Sequence, residues 1–251
     1  MDSNKLVSFF RVFHYNYRNP KGENKFIRQV IHFLTKKYKT IVIDGGYNKG
    51  RWTNEILKYT SSVRVIAYEL SKITFENRNK NSKIYNFELN SKATILHKGL
   101  YNENKIIELT ESDKLNDGSY NIYNFKNGSG GNVVELVRLE DDIKKYDTNL
   151  NYKYIVKLDI EGAEYKALLG MKTLLKDNII ALQWEIHSHH KNLTPDLLTF
   201  INFFKSYNFY TFILGEDNLL RIDNNYNINF EITEVQPNCI NLIALKKHIY
   251  E

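Results

Sequence analysis

The residues best placed to do chemistry lie in Val156-Lys157-Leu158-Asp159-Ile160-Glu161-Gly162-Ala163-Glu164-Tyr165. An apolar run here ends in carboxylates and a glycine and leads straight into a helix pattern. In an open α/β sheet the carboxyl ends of strands face the ligand crevice. Carboxylates held at such a place are costly unless they meet a partner, so they mark a site. Asp159 is the first candidate for a general base that takes the proton of a hydroxyl nucleophile. Glu185 and His187 end the next strand, spaced to share one face, and are the second candidates. Asp159 can equally contact a cofactor. Glu161 and His187 suit substrate hydroxyls, although an acid such as Glu161 also fits a helix N-terminus for electrostatic reasons alone. By residue type, Asp159, Glu185 and His187 could hold a divalent ion. Nothing in the sequence shows that they converge, so no metal ligand is assigned. His189 and His190 extend a histidine tract that reads as a solvated loop.

A second group is Ile43-Asp44-Gly45-Gly46-Tyr47-Asn48-Lys49-Gly50, an Asp-x-Gly-x-x-x-Gly turn after a buried strand. Its glycines permit a tight turn and close backbone approach to a ligand. Glu69 ends the following strand, where an acid accepts hydrogen bonds from ribose hydroxyls. Together they point to a nucleoside-containing cofactor. The dinucleotide pattern has different spacing. An acid leading the turn repels a pyrophosphate and suits a cationic ligand such as S-adenosylmethionine.

The elements that must position these residues alternate. Thr40 to Asp44, Val63 to Glu69, Ala93 to Lys98, Tyr154 to Asp159 and Ile179 to His187 read as strands. Helices are expected from about Arg51 to Tyr59, from Ile73, from Ala163 to Leu175, and to Tyr207 from a start at Pro195 capped by Thr194. An earlier helix carries Phe26, Ile27, Val30, Ile31 and Leu34, with Asn24 as its cap. Lys105 to Leu109 and Val133 to Leu139 read as antiparallel strands. The Asn-, Gly-, Ser- and Tyr-rich stretch 116–132 is expected to be a mobile loop. Phe209 to Leu214, Leu219 to Ile222 and Ile240 to Lys246 close the sheet. The pattern predicts a doubly wound, mostly parallel α/β sheet with an antiparallel strand near the C-terminus. The expected layout is one domain over 1–251, with a helical lead-in at 1–39 and an α/β core at 40–251.

The 251 residues carry a formal charge of +6 and a single cysteine, Cys239. An intramolecular disulfide and a Cys-based zinc site within the chain are therefore excluded. The basic balance is spread along the chain without a dense run, which reads as a solvated surface. Leu6 to Phe13 is apolar but short and contains Arg11, so neither a signal peptide nor a membrane span is expected. A cytoplasmic location is expected. Oligomeric state is left open.

The chain resembles the FkbM family of S-adenosylmethionine-dependent methyltransferases. Lys157 to Glu164 is similar to that family's Lys-x-Asp-x-Glu-Gly-Ala-Glu signature, continued by Leu168-Leu169-Gly170. Asp44 to Gly50 is similar to its Asp-x-Gly-Ala-Asn-x-Gly turn, with Tyr47 in place of a small residue. Glu69 stands at the ribose-binding position, followed by Leu70 where a proline is common. Lys98-Gly99-Leu100-Tyr101 and Glu185-Ile186-His187 match shorter segments. The resemblance implies a Rossmann-like class I methyltransferase fold and binding of S-adenosylmethionine. The expected cofactor set is Asp44, Gly45, Gly46, Asn48, Gly50, Glu69, Leu70, Gly99, Leu100 and Asp159. The expected activity is O-methylation of a hydroxyl on a small molecule, sugar or glycan. Methylation of an RNA ribose hydroxyl is the alternative, weakened by the absence of a basic stripe or a recognisable RNA-binding module. A nucleotide-dependent oxidoreductase is disfavoured by the loop spacing. A silent module that binds the cofactor without turnover is the remaining reading.

Overall fold

Among the described residues ten strands collect into one sheet. The computed structural model describes residues 30–60, 62–81, 92–109, 131–187, 195–214, 219–222 and 239–250. Strand β1 (Thr40–Gly45) is buried at every position. Both its faces are covered by packed elements, which is why it reads as an unbroken β-branched run. It pairs in parallel with β2 (Arg64–Glu69) on one side and β6 (Lys153–Leu158) on the other. Strand β3 (Ala93–Leu100) lies parallel to β2, and β7 (Ile179–His187) lies parallel to β6. The chain thus runs outward from β1 one way and returns to build the other half. The reversal between β1 and β6 opens a crevice at the carboxyl ends of the strands.

The edges are antiparallel. Strand β4 (Lys105–Leu109) pairs antiparallel with β5 (Asn132–Val137), which itself lies parallel to β3. At the other end β10 (Cys239–Lys246) runs antiparallel between β7 and β8 (Phe209–Leu214), and β9 (Leu219–Ile222) completes the sheet. The antiparallel C-terminal strand read from the sequence is present.

Two apolar layers sandwich the sheet. One gathers Ile43, Tyr68, Val156, Trp184, Phe200 and Phe204. The other gathers Val42, Trp52, Ile155, Ala181 and Ile243. Successive strand residues point to opposite faces, so Val156 and Ile155 serve different layers. Helices α1 (His32–Lys37), α2 (Arg51–Tyr59) and α3 (Lys72–Asn81) belong to the first half of the fold.

Several boundaries differ from the sequence reading. Strand β5 stops at Val137, and Leu139 opens a short helix, α4 (Leu139–Asp142). Strand β3 runs two residues further, to Leu100. The single helix expected over 163–175 is two, α5 (Glu164–Leu169) and α6 (Lys172–Asp177). The break falls at Gly170, where a Cβ would lie 1.9 Å from the Tyr101 carbonyl oxygen. The later helix, α7 (Leu197–Ser206), is capped by Asp196, whose side chain accepts from the Thr199 N–H at 2.8 Å. The Asp196 carboxylate reaches the open N–H groups of the first turn, so the helix begins after Pro195 and Asp196 rather than at Pro195. A last short helix, α8 (Lys247–Tyr250), follows β10. The proposed caps Asn24 and Thr194, the start of the lead-in helix, His189, His190 and nearly all of the 116–132 loop lie outside the described residues. Among the described residues no helix is long and apolar enough to cross a membrane.

Candidate active site

The turn after β1 is fixed by its glycines. Gly46 has φ +87°, and a Cβ there would come 1.9 Å from the Asp159 carbonyl oxygen. Only glycine permits that approach of the two strand ends. The N–H groups of Gly46 and Tyr47 both donate to the Tyr68 carbonyl at 3.0 Å, which pins the turn to β2. Gly50 has φ +70° at the start of α2, and a Cβ there would collide with the Tyr47 hydroxyl. Tyr47 is therefore buried against Gly50 and does not line the cleft.

Glu69 is buried at the end of β2, and both its carboxylate oxygens are held by backbone. The Asn48 N–H donates to Oε2 at 2.7 Å and the Ser71 N–H donates to Oε1 at 2.8 Å. Asn48 takes φ +49° in making this contact. The carboxylate is thus locked in direction before any ligand arrives, which lowers the ordering cost of binding.

A cleft of about 660 Å³, open to solvent, runs along the carboxyl ends of the central strands. The β1–β2 side supplies Gly46, Asn48, Glu69, Leu70, Ser71 and Thr74. Strands β2 and β3 supply Tyr68, Lys98, Gly99 and Leu100, and the turn after β6 supplies Asp159, Ile160, Glu161 and Ala163. Gly99 lets Leu70 and Leu136 close over it, since a Cβ would lie 2.9 Å and 2.5 Å from their methyls. Lys98 bonds Glu135 at 2.8 Å and Asp142 at 2.9 Å, and Asp142 also receives Lys145 at 2.7 Å and the Tyr68 hydroxyl at 3.1 Å. Burial works to lower the Lys98 pKa, but the carboxylates bonded to it outweigh burial and hold it above the ordinary lysine value. Burial works to raise Asp142, and the Lys145 and Lys98 bonds bring it below the ordinary carboxyl value. This part of the cleft is a closed ion-pair network.

The acidic turn after β6 has a different character. Asp44 is fully buried, accepts from the Thr53 hydroxyl at 2.6 Å, and lies 3.4 Å from the Lys157 Nζ. The same Nζ is 3.3 Å from Asp159 Oδ2. Asp159 is 35% exposed in its side chain and is hydrogen-bonded to the Glu185 carboxyl across the β6–β7 step. Burial pushes Asp159 above the ordinary carboxyl range; Lys157 opposes this, and the neighbouring Glu185 adds to the rise. Glu164 lies beneath, 1% exposed, and accepts from the Ile160 N–H at 2.9 Å. Burial raises its pKa to about 7 against the backbone N–H bonds that favour its charged form. Glu161, with φ +53°, lines the cleft.

Of the residues singled out in the sequence, the structure brings Gly46, Asn48, Glu69, Leu70, Gly99, Leu100, Asp159 and Glu161 onto one cleft. Asp44, Gly45 and Gly50 stand behind the wall, where they shape the turn, and Glu185 joins through its bond to Asp159. His187 ends β7 opposite Cys239. Its side chain lies outside the described residues. No group of three or more His, Cys, Asp or Glu suited to a metal ion occurs among the described residues. The sequence reading quoted Lys157, Glu164 and Lys98 within family-like segments but gave none of them a role, and it did not point to Tyr68 or Ser71. A lysine inside the apolar strand Tyr154-Ile155-Val156-Lys157-Leu158 was the further signal for Lys157.

Against known families, the profile of the Methyltransferase FkbM domain matches residues 44–211. The chain belongs to the FkbM methyltransferase family. It is an S-adenosylmethionine-dependent methyltransferase. The matched span of this FkbM methyltransferase starts at Asp44 and takes in Glu69, Gly99, Asp159 and Glu185. No curated protein matches the chain. Among solved structures it is similar to an O-methyltransferase from Bacillus cereus in complex with SAH, at 10% identity and TM-score 0.43, over 97% of this chain and 89% of that one. It is similar to a candidate rRNA-methylase from Clostridium thermocellum at 10% identity and TM-score 0.45, over 86% and 93% of the two chains. It is also similar to the precorrin-6y C5,15-methyltransferase from Geobacter metallireducens at 11% identity and TM-score 0.41, over 87% of each.

The cleft of this FkbM methyltransferase fits its cofactor on three counts. Glu69 is a buried, fixed carboxylate of the kind that takes ribose hydroxyls at this strand end. Leu70 and Leu100 offer apolar surface to a base, and Asp159 offers negative charge to a sulfonium.

Proposed function

We propose that this methyltransferase acts on a hydroxyl of a small molecule, sugar or glycan. The supporting observation is the hydrogen-bonded carboxyl pair of Asp159 and Glu185 beside the cofactor cleft. Two carboxylates in contact cannot both stay ionised at little cost, so they share one proton. The pair then carries one negative charge and can take one more proton. Its raised affinity makes it a competent acceptor for a hydroxyl proton.

S-adenosylmethionine supplies a methyl group activated on a cationic sulfur. Glu69 would hold the ribose, Leu70 and Leu100 the base, and Asp159 would face the reacting end. When bound, S-adenosylmethionine would donate that methyl to the acceptor oxygen with its sulfur as the leaving group, and the Asp159–Glu185 pair would take the hydroxyl proton. Alignment of the nucleophile behind the methyl is the larger part of the protein's work. Glu161 would accept bonds from further hydroxyls of the acceptor. This carboxylate-bearing wall disfavours a phosphate backbone, so an RNA acceptor is the weaker reading.

Methyl-labelled S-adenosylmethionine, offered with a panel of monosaccharides, polyols and glycans and separately with RNA, tests the proposal. Label should enter an ether on a hydroxyl-bearing small molecule or glycan. Asp159→Asn and Glu185→Gln should each cut transfer by about 10²–10⁴-fold. Label found in RNA, or full transfer by both variants, would overturn the acceptor class or the base assignment respectively.

A further inference from the structure

Lys157 sits inside an apolar strand and is 5% exposed. Its Nζ stands 3.3 Å from Asp159 Oδ2, 3.4 Å from Asp44 Oδ1 and 3.4 Å from the Gly46 carbonyl. The Trp52 ring lies 5.8 Å away, which adds a face that attracts a cation. A buried ammonium without such partners would shed its proton. The two carboxylates it meets belong to different parts of the site. Asp44 supports the glycine turn, and Asp159 belongs to the pair with Glu185.

We infer that Lys157 is a positioning residue whose ammonium, from beneath the cleft, keeps Asp159 as the ionised member of the carboxyl pair and leaves the shared proton on Glu185. The contact is made to one oxygen of Asp159, so the charge of the pair collects on that residue. Asp159 lines the cleft, whereas Glu185 does not, so the proton acceptor is the residue the ligand meets. The other groups that face this cluster are Asp44 from β1, Glu164 from the start of α5, and Glu185 from β7. Helix α2 contributes the Thr53 hydroxyl, which donates to Asp44 Oδ2 and leaves Oδ1 for Lys157. The inference rests on the reading of the pair as the base.

The test follows the side-chain carboxyl carbons of Asp159 and Glu185 by ¹³C NMR across pH, with Asp159→Asn and Glu185→Gln used for assignment. Lys157→Met keeps the stem and removes the charge. The ionisation midpoint of the pair should rise by about 1–3 pH units in that variant and by less than half as much in Lys157→Arg. An unmoved midpoint in Lys157→Met would overturn the inference. Should Lys157→Met not fold, Asp44→Asn serves in its place. It removes the competing anion, so the midpoint should fall, and an unmoved midpoint would again overturn the inference. S-adenosylhomocysteine binding to wild type, measured alongside, separates the two readings. A midpoint that moves in a protein that binds no S-adenosylhomocysteine would sink the methyl-transfer assignment of the cleft and leave the Lys157 contact standing.

Discussion

Glu164 shows how a single buried carboxyl writes a pH dependence into stability. Its folded pKa of about 7 stands above the ordinary value of 4.5. A carboxyl raised on folding stabilises the native state while protonated. That stability is fully present below pH 4.5 and is lost as pH rises through 7. The shift corresponds to at most about 3 kcal/mol. Glu164→Gln keeps an oxygen for the Ile160 N–H and cannot ionise. Denaturant unfolding at pH 5 and pH 8 should therefore show wild type losing stability relative to this variant as pH rises. Equal pH dependence in both would contradict the assignment. At this scale Asp159, Glu69 and Gly46 were legible, because each stands where an apolar run ends in a polar or flexible residue. Ser71 and Tyr68 were not. Their roles come from bonds to Glu69 and Asp142, and linear spacing does not carry such cross-strand contacts.

The turn between β1 and α2 is the element on which the cleft depends. Gly46→Ala would force a Cβ to within 1.9 Å of the Asp159 carbonyl in a left-handed backbone conformation. The cost should be about 1–3 kcal/mol of stability, with a loss of cofactor affinity as the two strand ends separate. Thermal unfolding together with calorimetry checks both; a variant as stable and as tight-binding as wild type would contradict the account. Helix α7 offers a milder case. Asp196→Ala removes its cap and should cost about 1 kcal/mol in denaturant unfolding without altering cofactor binding. The strands were readable because both faces of the central ones are buried, which leaves long β-branched runs. The break between α5 and α6 was not readable. Leu168, Leu174 and Leu175 keep helical spacing across it, and the interruption comes from the Tyr101 backbone pressing on Gly170.

Across the whole molecule, alternation of strand and helix was enough to expect a doubly wound sheet, and the antiparallel β10 follows from the helix-free end of the sequence. Strand order was less accessible. That β5 pairs with β3 in parallel and carries β4 at the edge depends on contacts across the undescribed 110–130 segment. The net charge of +6 does not describe the site, whose turn after β6 presents Asp159 and Glu161. The central claim is that the crevice between β1, β2, β3 and β6 holds the nucleoside of S-adenosylmethionine through Glu69. Isothermal titration of wild type and Glu69→Ala with S-adenosylhomocysteine tests it most directly. The account predicts one-to-one binding to wild type and a loss of about 1.5–3 kcal/mol in the variant, or more than tenfold in affinity. No binding to wild type, or equal affinity in the two proteins, would contradict it.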